Sequence, residues 1–116
     1  MGRNNYYYDD SDSSSNSEFD ERLDVDDILY TQDSISSVFW DGTSIYEGNP
    51  YIHEPLYVVR YKGSVYTMEN RTLFSKEDAG HKTTRVIYQD LDDRKIKNAF
   101  FRKKTGNGNY PRVRGN

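Results

Sequence analysis

The chain has 116 residues, no cysteine and a formal charge of −3, which excludes disulfides, a thiol nucleophile and thiolate metal sites. No apolar run approaches the length of a signal peptide or a membrane-spanning helix, so a soluble, intracellular protein of cytoplasm or nucleus is expected. The small net charge hides an uneven distribution: residues 1 to 28 carry nine acids against two bases, and the remainder carries ten acids against fourteen bases.

The first 28 residues, with Tyr6-Tyr7-Tyr8 and the run from Ser11 to Ser17 set among acids, have too little aliphatic content to offset the entropy of ordering. They are expected to form a disordered acidic tail. Residues 29 to 116 then suffice for one small core and leave no room for a second. Ile28-Leu29-Tyr30 reads as a first short strand. Asp33 or Ser34 next reads as an N-cap, and Ile35, Val38 and Phe39 stand at helical i, i+3, i+4 spacing, so a short helix ending near Asp41-Gly42 is predicted. Trp40 beside it is expected in the core. Thr43 to Pro55 reads as loop, because Pro50 and Pro55 disfavour helix in the residues before them.

Leu56 to Tyr61 and Ser64 to Met68 are rich in β-branched and aromatic residues and are split by Lys62-Gly63, which predicts a β-hairpin. From Thr72 the pattern turns helix-compatible, and Gly80 offers a left-handed stop. Thr84 to Tyr88 reads as a strand that returns to the same sheet after the helix. Asp92 or Asp93 caps a last helix whose Ile96, Ala99 and Phe100 share one face. Gly106-Asn107-Gly108 ends it, and Tyr110 to Arg114 is expected as an edge strand, since Pro111 cannot donate to a central ladder. The fold class so predicted is α+β, a small mixed sheet with two to three short helices. Short tyrosine-rich strands leave edges by which the protein could dimerise.

The segment from Glu69 to Lys76 joins a strand end to a helix start. Orphan backbone N–H groups there, beside Arg71, favour a phosphate or carboxylate, because helix dipole and bidentate guanidinium act together. The plainer reading is a solvated arginine or a partner for a nearby Glu. Candidate catalytic residues are Asn70 as a donor, Arg71 as a phosphate clamp, and Asp33 (or Ser34) on the opposite lip. Thr72, Arg60, Lys103 and Lys104 are further candidate phosphate contacts. From Arg94 to Asn116 there are eight bases and no acid, a density that attracts phosphates by counterion release and adds Arg112 and Arg114 to the candidates. Tyr110, Phe100 and Phe101 lie among these bases, where aromatic rings can stack on nucleobases, although Phe100 also suits the core. His53 and His81 have no i, i+4 partner, so spacing offers no zinc site. Asp90, Asp92 and Asp93 could hold Mg2+ beside a phosphate, but helix capping explains them more simply. Asn70-Arg71-Thr72 matches a glycosylation sequon, which without an export signal reads as a coincidence.

Residues 29 to 114 resemble the ParB/sulfiredoxin superfamily, and most of all the small ParB-like domains at the carboxyl ends of bacterial polymorphic toxins. The resemblance rests on the strand Val65 to Thr67, the box Glu69-Asn70-Arg71-Thr72 and the closing Ala79-Gly80. It extends upstream to Gln32-Asp33-Ser34-Ile35 with Phe39 and to Pro55-Leu56-Tyr57-Val58-Val59, and downstream to Lys103-Lys104-Thr105 and Arg112-Val113-Arg114. It implies a ParB/sulfiredoxin-like mixed sheet whose box and helix start bind nucleotide or nucleic-acid phosphates. Members include nucleases, a kinase and nucleotide-binding partition proteins, so fold membership leaves the chemistry open. Thr72 stands where the partition proteins carry a second arginine, and no cysteine is present for sulfiredoxin chemistry. The expected function is binding of nucleic acid or nucleotide, with phosphodiester hydrolysis as the candidate activity. A non-catalytic protein-interaction module and a nucleotide-dependent kinase or switch are the alternatives.

Overall fold

The computed structural model describes residues 21–46 and 48–115. In chain order these form β1 (Arg22–Asp24), β2 (Ile28–Leu29), β3 (Ser34–Ser36), β4 (Leu56–Tyr61), β5 (Ser64–Thr67), α1 (Asn70–Asp78), β6 (Thr83–Tyr88), α2 (Arg94–Lys103) and β7 (Arg112–Arg114). Short 3-10 turns cover Val25–Asp27 and Pro50–His53. A five-stranded mixed sheet has the order β1-β6-β4-β5-β2, and β3 and β7 form a separate parallel pair. The fold is α+β, as expected.

The hairpin between β4 and β5 turns on Lys62 and Gly63, whose φ angles of 51° and 81° are both left-handed. Two such residues give the turn whose twist matches the flanking strands, and Gly63 takes its angle at no steric cost. After β5 the chain crosses through α1, and β6 lies parallel to β4 with Leu56 opposite Val86. Val58 and Val59 of β4 are both fully buried, which requires cover on both faces of the sheet because successive strand residues point opposite ways. Leu73 and Phe74 of α1 join Val58, Leu56 and Val86 in one cluster, while Phe100 of α2 joins Val59 and Met68 in the other. Asp93 caps α2 as predicted, its Oδ1 accepting from the N–H groups of Lys95 (2.9 Å) and Ile96 (3.2 Å).

Three expectations need correction. The folded domain does not begin at residue 29: β1 pairs antiparallel with β6, and Val25 is buried with its N–H donating to the Lys82 carbonyl at 3.0 Å. Asp24, Asp26 and Asp27 stay exposed on this edge, so a high acid content is compatible with order when Leu23 and Val25 alone turn inward. The remainder of the expected acidic tail, residues 1–20, lies outside the described residues. Second, Ser34–Ser36 is a strand, and the helix expected to end near Asp41-Gly42 does not form. Its partner is β7, with Ile35 opposite Val113, and a pairing of such sequence separation leaves no trace in a local helical pattern. Third, Trp40 is 81% exposed.

The side chain of Lys76, on the buried side of α1, is only 3% exposed and donates from Nζ to the Ile52 carbonyl at 2.6 Å. Burial pushes its ammonium group down to about 8. The unfolded chain therefore holds more protons than the folded one between that value and the ordinary lysine value of 10.5, and stability should rise with pH across the window. Urea midpoints measured from pH 8 to pH 10.5 should show a steeper rise in the wild type than in Lys76→Met; parallel curves would mean that Lys76 is not desolvated.

Candidate functional site

β5 passes into α1 through Met68 and Glu69. The Glu69 N–H donates to Thr67 Oγ1 at 2.8 Å, yet the Glu69 side chain makes no capping bond to the helix. It turns instead to β4, where its Oε1 accepts from the Tyr57 N–H at 3.1 Å. The first turn of α1 thus lacks a cap from the side chain of its N-cap residue, and a helix start without such a cap leaves orphan backbone donors.

The first four polar side chains of α1 that face the loop from Thr31 to His53 hold it in place. Asn70 Oδ1 accepts from the N–H groups of Thr31 (2.8 Å) and Gln32 (3.3 Å), and its Nδ2 donates to Thr31 Oγ1 (2.7 Å) and Gln32 Oε1 (3.3 Å). Arg71 Nη1 donates to the Val38 carbonyl at 2.7 Å, and Ser75 Oγ donates to the Ile45 carbonyl at 2.6 Å. Lys76 completes the set at Ile52. Held in this way, the chain makes a tight turn in which the Phe39 N–H donates to the Thr43 carbonyl (2.8 Å) and the Gly42 N–H to the Phe39 carbonyl (2.9 Å). Trp40 stands at its tip, which explains its exposure.

The turn, the start of α1 and the end of α2 enclose a cleft of about 300 Å³. Arg71 and Lys103 supply positive charge, Glu54 and Glu69 negative charge, and Trp40, Phe39 and Tyr51 aromatic surface. The Arg71 guanidinium lies 5.7 Å from the Phe39 ring centre; with one of its five N–H donors on Val38, others remain for a ligand. Burial pushes the Glu69 carboxyl above the usual range; the Tyr57 N–H opposes this, Glu54 adds to it, and Lys76 and Lys103 also oppose it. A carboxyl with raised proton affinity in a cleft is a candidate for proton transfer.

The residues expected at the site divide into two groups. Asn70, Arg71, Thr72 and Lys103 line the cleft together. Asn70 is 4% exposed and its amide is fully engaged, so it positions the loop, and its burial occludes the sequon. Asp33 does not reach the cleft, where Gln32 takes the expected lip position. It packs against Gly106, at which an added Cβ would come within 3.0 Å of Asp33 Cβ, and its Oδ1 accepts from the Thr105 hydroxyl. Arg60 lies over the Tyr88 ring, 4.6 Å from its centre, beside a different depression. Lys104 donates to the Gly106 carbonyl, and Arg114 to Ser34 Oγ on the β3–β7 pair, where Arg112 is exposed. Asp93 caps α2 and Asp90 Oδ1 accepts from the Asp92 N–H at 2.9 Å, so these aspartates serve local turns. Among the described residues no group of three or more His, Cys, Asp or Glu is gathered to hold a metal ion, and no helix is long and apolar enough to cross a membrane. Glu69 enters the cleft as the first residue of the expected box, whereas Glu54 and Trp40 had no local signal in the sequence that placed them there.

No family model matches the chain, and no curated protein does. Among solved structures the chain is similar to the C-terminally truncated chromosome-partitioning protein ParB from Caulobacter crescentus, in a crystal structure complexed to the centromeric parS site. The identity is 14% and the TM-score 0.45, with 69% of this chain and 44% of that chain covered. The chain thus spans less than half the length of that protein.

Asn70→Ala should destabilise the domain by ~2–4 kcal/mol, since it strands the buried Thr31 N–H and hydroxyl. Asp33→Ala, at an exposed contact, should change stability by no more than ~0.5 kcal/mol. Chemical denaturation of both variants checks the pair, and equal effects would overturn the assignment of Asn70 as the structural member.

Proposed function

We propose that this is a ParB/sulfiredoxin-like domain, akin to those of bacterial polymorphic toxins, whose cleft at the start of α1 binds the phosphate of a nucleotide or of single-stranded nucleic acid. One observation carries the reading: Arg71 and Lys103, from the first turn of one helix and the last turn of the other, line a single cleft beside an uncapped helix start and an exposed tryptophan. Phosphate oxygens suit the remaining guanidinium donors and the helix N–H groups. Trp40 offers a face on which a nucleobase stacks irrespective of its identity. Glu54 and Glu69 line the same cleft, so an anion there would be held by Arg71 and Lys103 against the charge of the two acids. The box Glu69 to Thr72 sits at the strand-to-helix junction and Ala79-Gly80 closes α1, in keeping with the sequence resemblance. Arg60, Lys104, Arg112 and Arg114 lie outside the cleft and would meet more distant phosphates of a longer strand.

The raised proton affinity of Glu69 favours a second reading, in which the domain hydrolyses phosphodiesters and Glu69 takes the proton of the attacking water. Carboxylates of Glu54 and Glu69, together with ligand oxygens, are the hard donors that a Mg2+ would use there.

A labelled single-stranded oligonucleotide and a set of nucleotides, titrated with and without Mg2+, test both readings. Arg71→Ala and Lys103→Ala should each weaken binding about tenfold or more, as expected for lost charge-assisted bonds. Trp40→Ala should weaken the oligonucleotide by ~1–3 kcal/mol and leave inorganic phosphate unaffected. If cleavage is seen, Glu69→Gln should remove turnover and keep affinity. Wild-type affinity in all of the first three variants would defeat the proposal.

A further inference from the structure

Behind the cleft, on the far side of Glu54, lies a second depression of about 130 Å³ whose wall brings together Arg22, Arg85, Lys76, His53 and His81. Glu54 borders both hollows. Four separate elements contribute: β1 gives Arg22, β6 gives Arg85, α1 gives Lys76, and the 3-10 turn Pro50–His53 gives His53. Arg22 and Arg85 stand directly opposite each other in the β1–β6 ladder, a like-charge pairing that costs stability unless something compensates it. Arg22 donates Nε and Nη2 to the Thr83 hydroxyl at 3.3 and 3.0 Å, which fixes the guanidinium beside the pocket. The His53 and His81 rings approach to 6.0 Å between centres, although the two residues are far apart in sequence. Both arginines also bear on Lys76, adding to the burial that disfavours its charged form.

Two imidazoles side by side first suggest a metal. The setting opposes it: Glu54 is the one carboxylate lining the pocket, three basic side chains surround it, and a divalent cation would add to the repulsion. The same arrangement suits an oxyanion, because guanidinium forks, imidazole N–H groups and the Thr83 hydroxyl are all donors. We propose that this depression is a second oxyanion site, distinct from the cleft at α1, which binds a phosphate group between Arg22, Arg85 and the histidine pair. The bound phosphate offsets the cross-strand arginine repulsion. The site stands on its own residues and does not depend on what the cleft binds.

The test is an amide NMR titration of the full chain with inorganic phosphate, in the wild type, Arg85→Gln and Arg71→Ala. Saturable shifts are expected at His81, Thr83 and Thr84, weakened about tenfold in Arg85→Gln, as for loss of a charge-assisted bond, and unchanged in Arg71→Ala. Shifts at Arg71 and Thr72 report the cleft separately, so the failure of either site is visible by itself. Arg85 is exposed, so its replacement should leave the spectrum of the free protein folded; Arg85→Lys should restore part of the affinity. A titration with a single-stranded oligonucleotide identifies the source: shifts at the same amides assign the phosphate to a nucleic-acid backbone, and shifts with inorganic phosphate alone assign it to a small oxyanion. Absence of saturable shifts at His81, Thr83 and Thr84, or shifts insensitive to Arg85→Gln, would overturn the site.

Discussion

The Asn70 amide accepts from two successive backbone N–H groups and donates to two side-chain oxygens of the same dipeptide, Thr31-Gln32. Thr31 is itself fully buried, and its carbonyl accepts from the Thr105 N–H at 2.8 Å beyond α2. One side chain therefore joins the start of α1 to the chain entering the long loop, and through Thr31 to the segment leaving α2. Every wall of the cleft is attached to one of those three pieces. A buried amide with all four bonding positions used is stable only in one arrangement, because a shift of either partner leaves unpaired polar groups in a dry setting.

The rest of α1 continues the same principle. Its buried face includes Thr72, Ser75 and Lys76 beside Leu73 and Phe74, an unusual mixture for so short a helix. The polar members answer a need of the loop from Thr31 to His53, which has little regular structure and so presents carbonyls without strand or helix partners. Arg71, Ser75 and Lys76 supply donors at Val38, Ile45 and Ile52. Hydrophobic burial places the helix on the sheet, and these three bonds place the loop on the helix. Arg71 stands in both systems, since the bond that anchors the turn of Trp40 also orients the guanidinium that faces the cleft.

How much of this was legible in the sequence depended on the range of the interaction that carries it. The hairpin, the capped α2 and the left-handed Gly80 follow from signals within a few residues, and they appear where expected. β3 and β1 do not, because each is defined by a partner strand far along the chain, and in isolation Ile35, Val38 and Phe39 satisfy a helical period equally well. Trp40 was misplaced by a default rule of burial, which the turn from Phe39 to Thr43 overrides. At the site, the position of Arg71 at a strand-to-helix junction was readable from the pattern. The role of Asn70 was not, since a polar residue at a helix start reads as a free donor until its partners at Thr31 and Gln32 are known. The nearness of His53 and His81 likewise exists only in three dimensions.

The charges in the cleft refine what its chemistry can achieve. Arg71 and Lys103 are set against Glu54 and Glu69 within one small volume, so the formal charges of the cleft balance, whereas the segment from Arg94 onward carries eight bases, Lys103 among them, and no acid. Long-range attraction of a polyanion would therefore come from the carboxyl-terminal surface, where it is screened by salt and blind to sequence. Discrimination would come from the cleft, where a ligand must present an anion to the cations and keep neutral or aromatic surface against Trp40 and the acids. If the cleft takes an anion, the two acids would disfavour ligands that bring further negative charge, a discrimination that a purely basic cleft would lack.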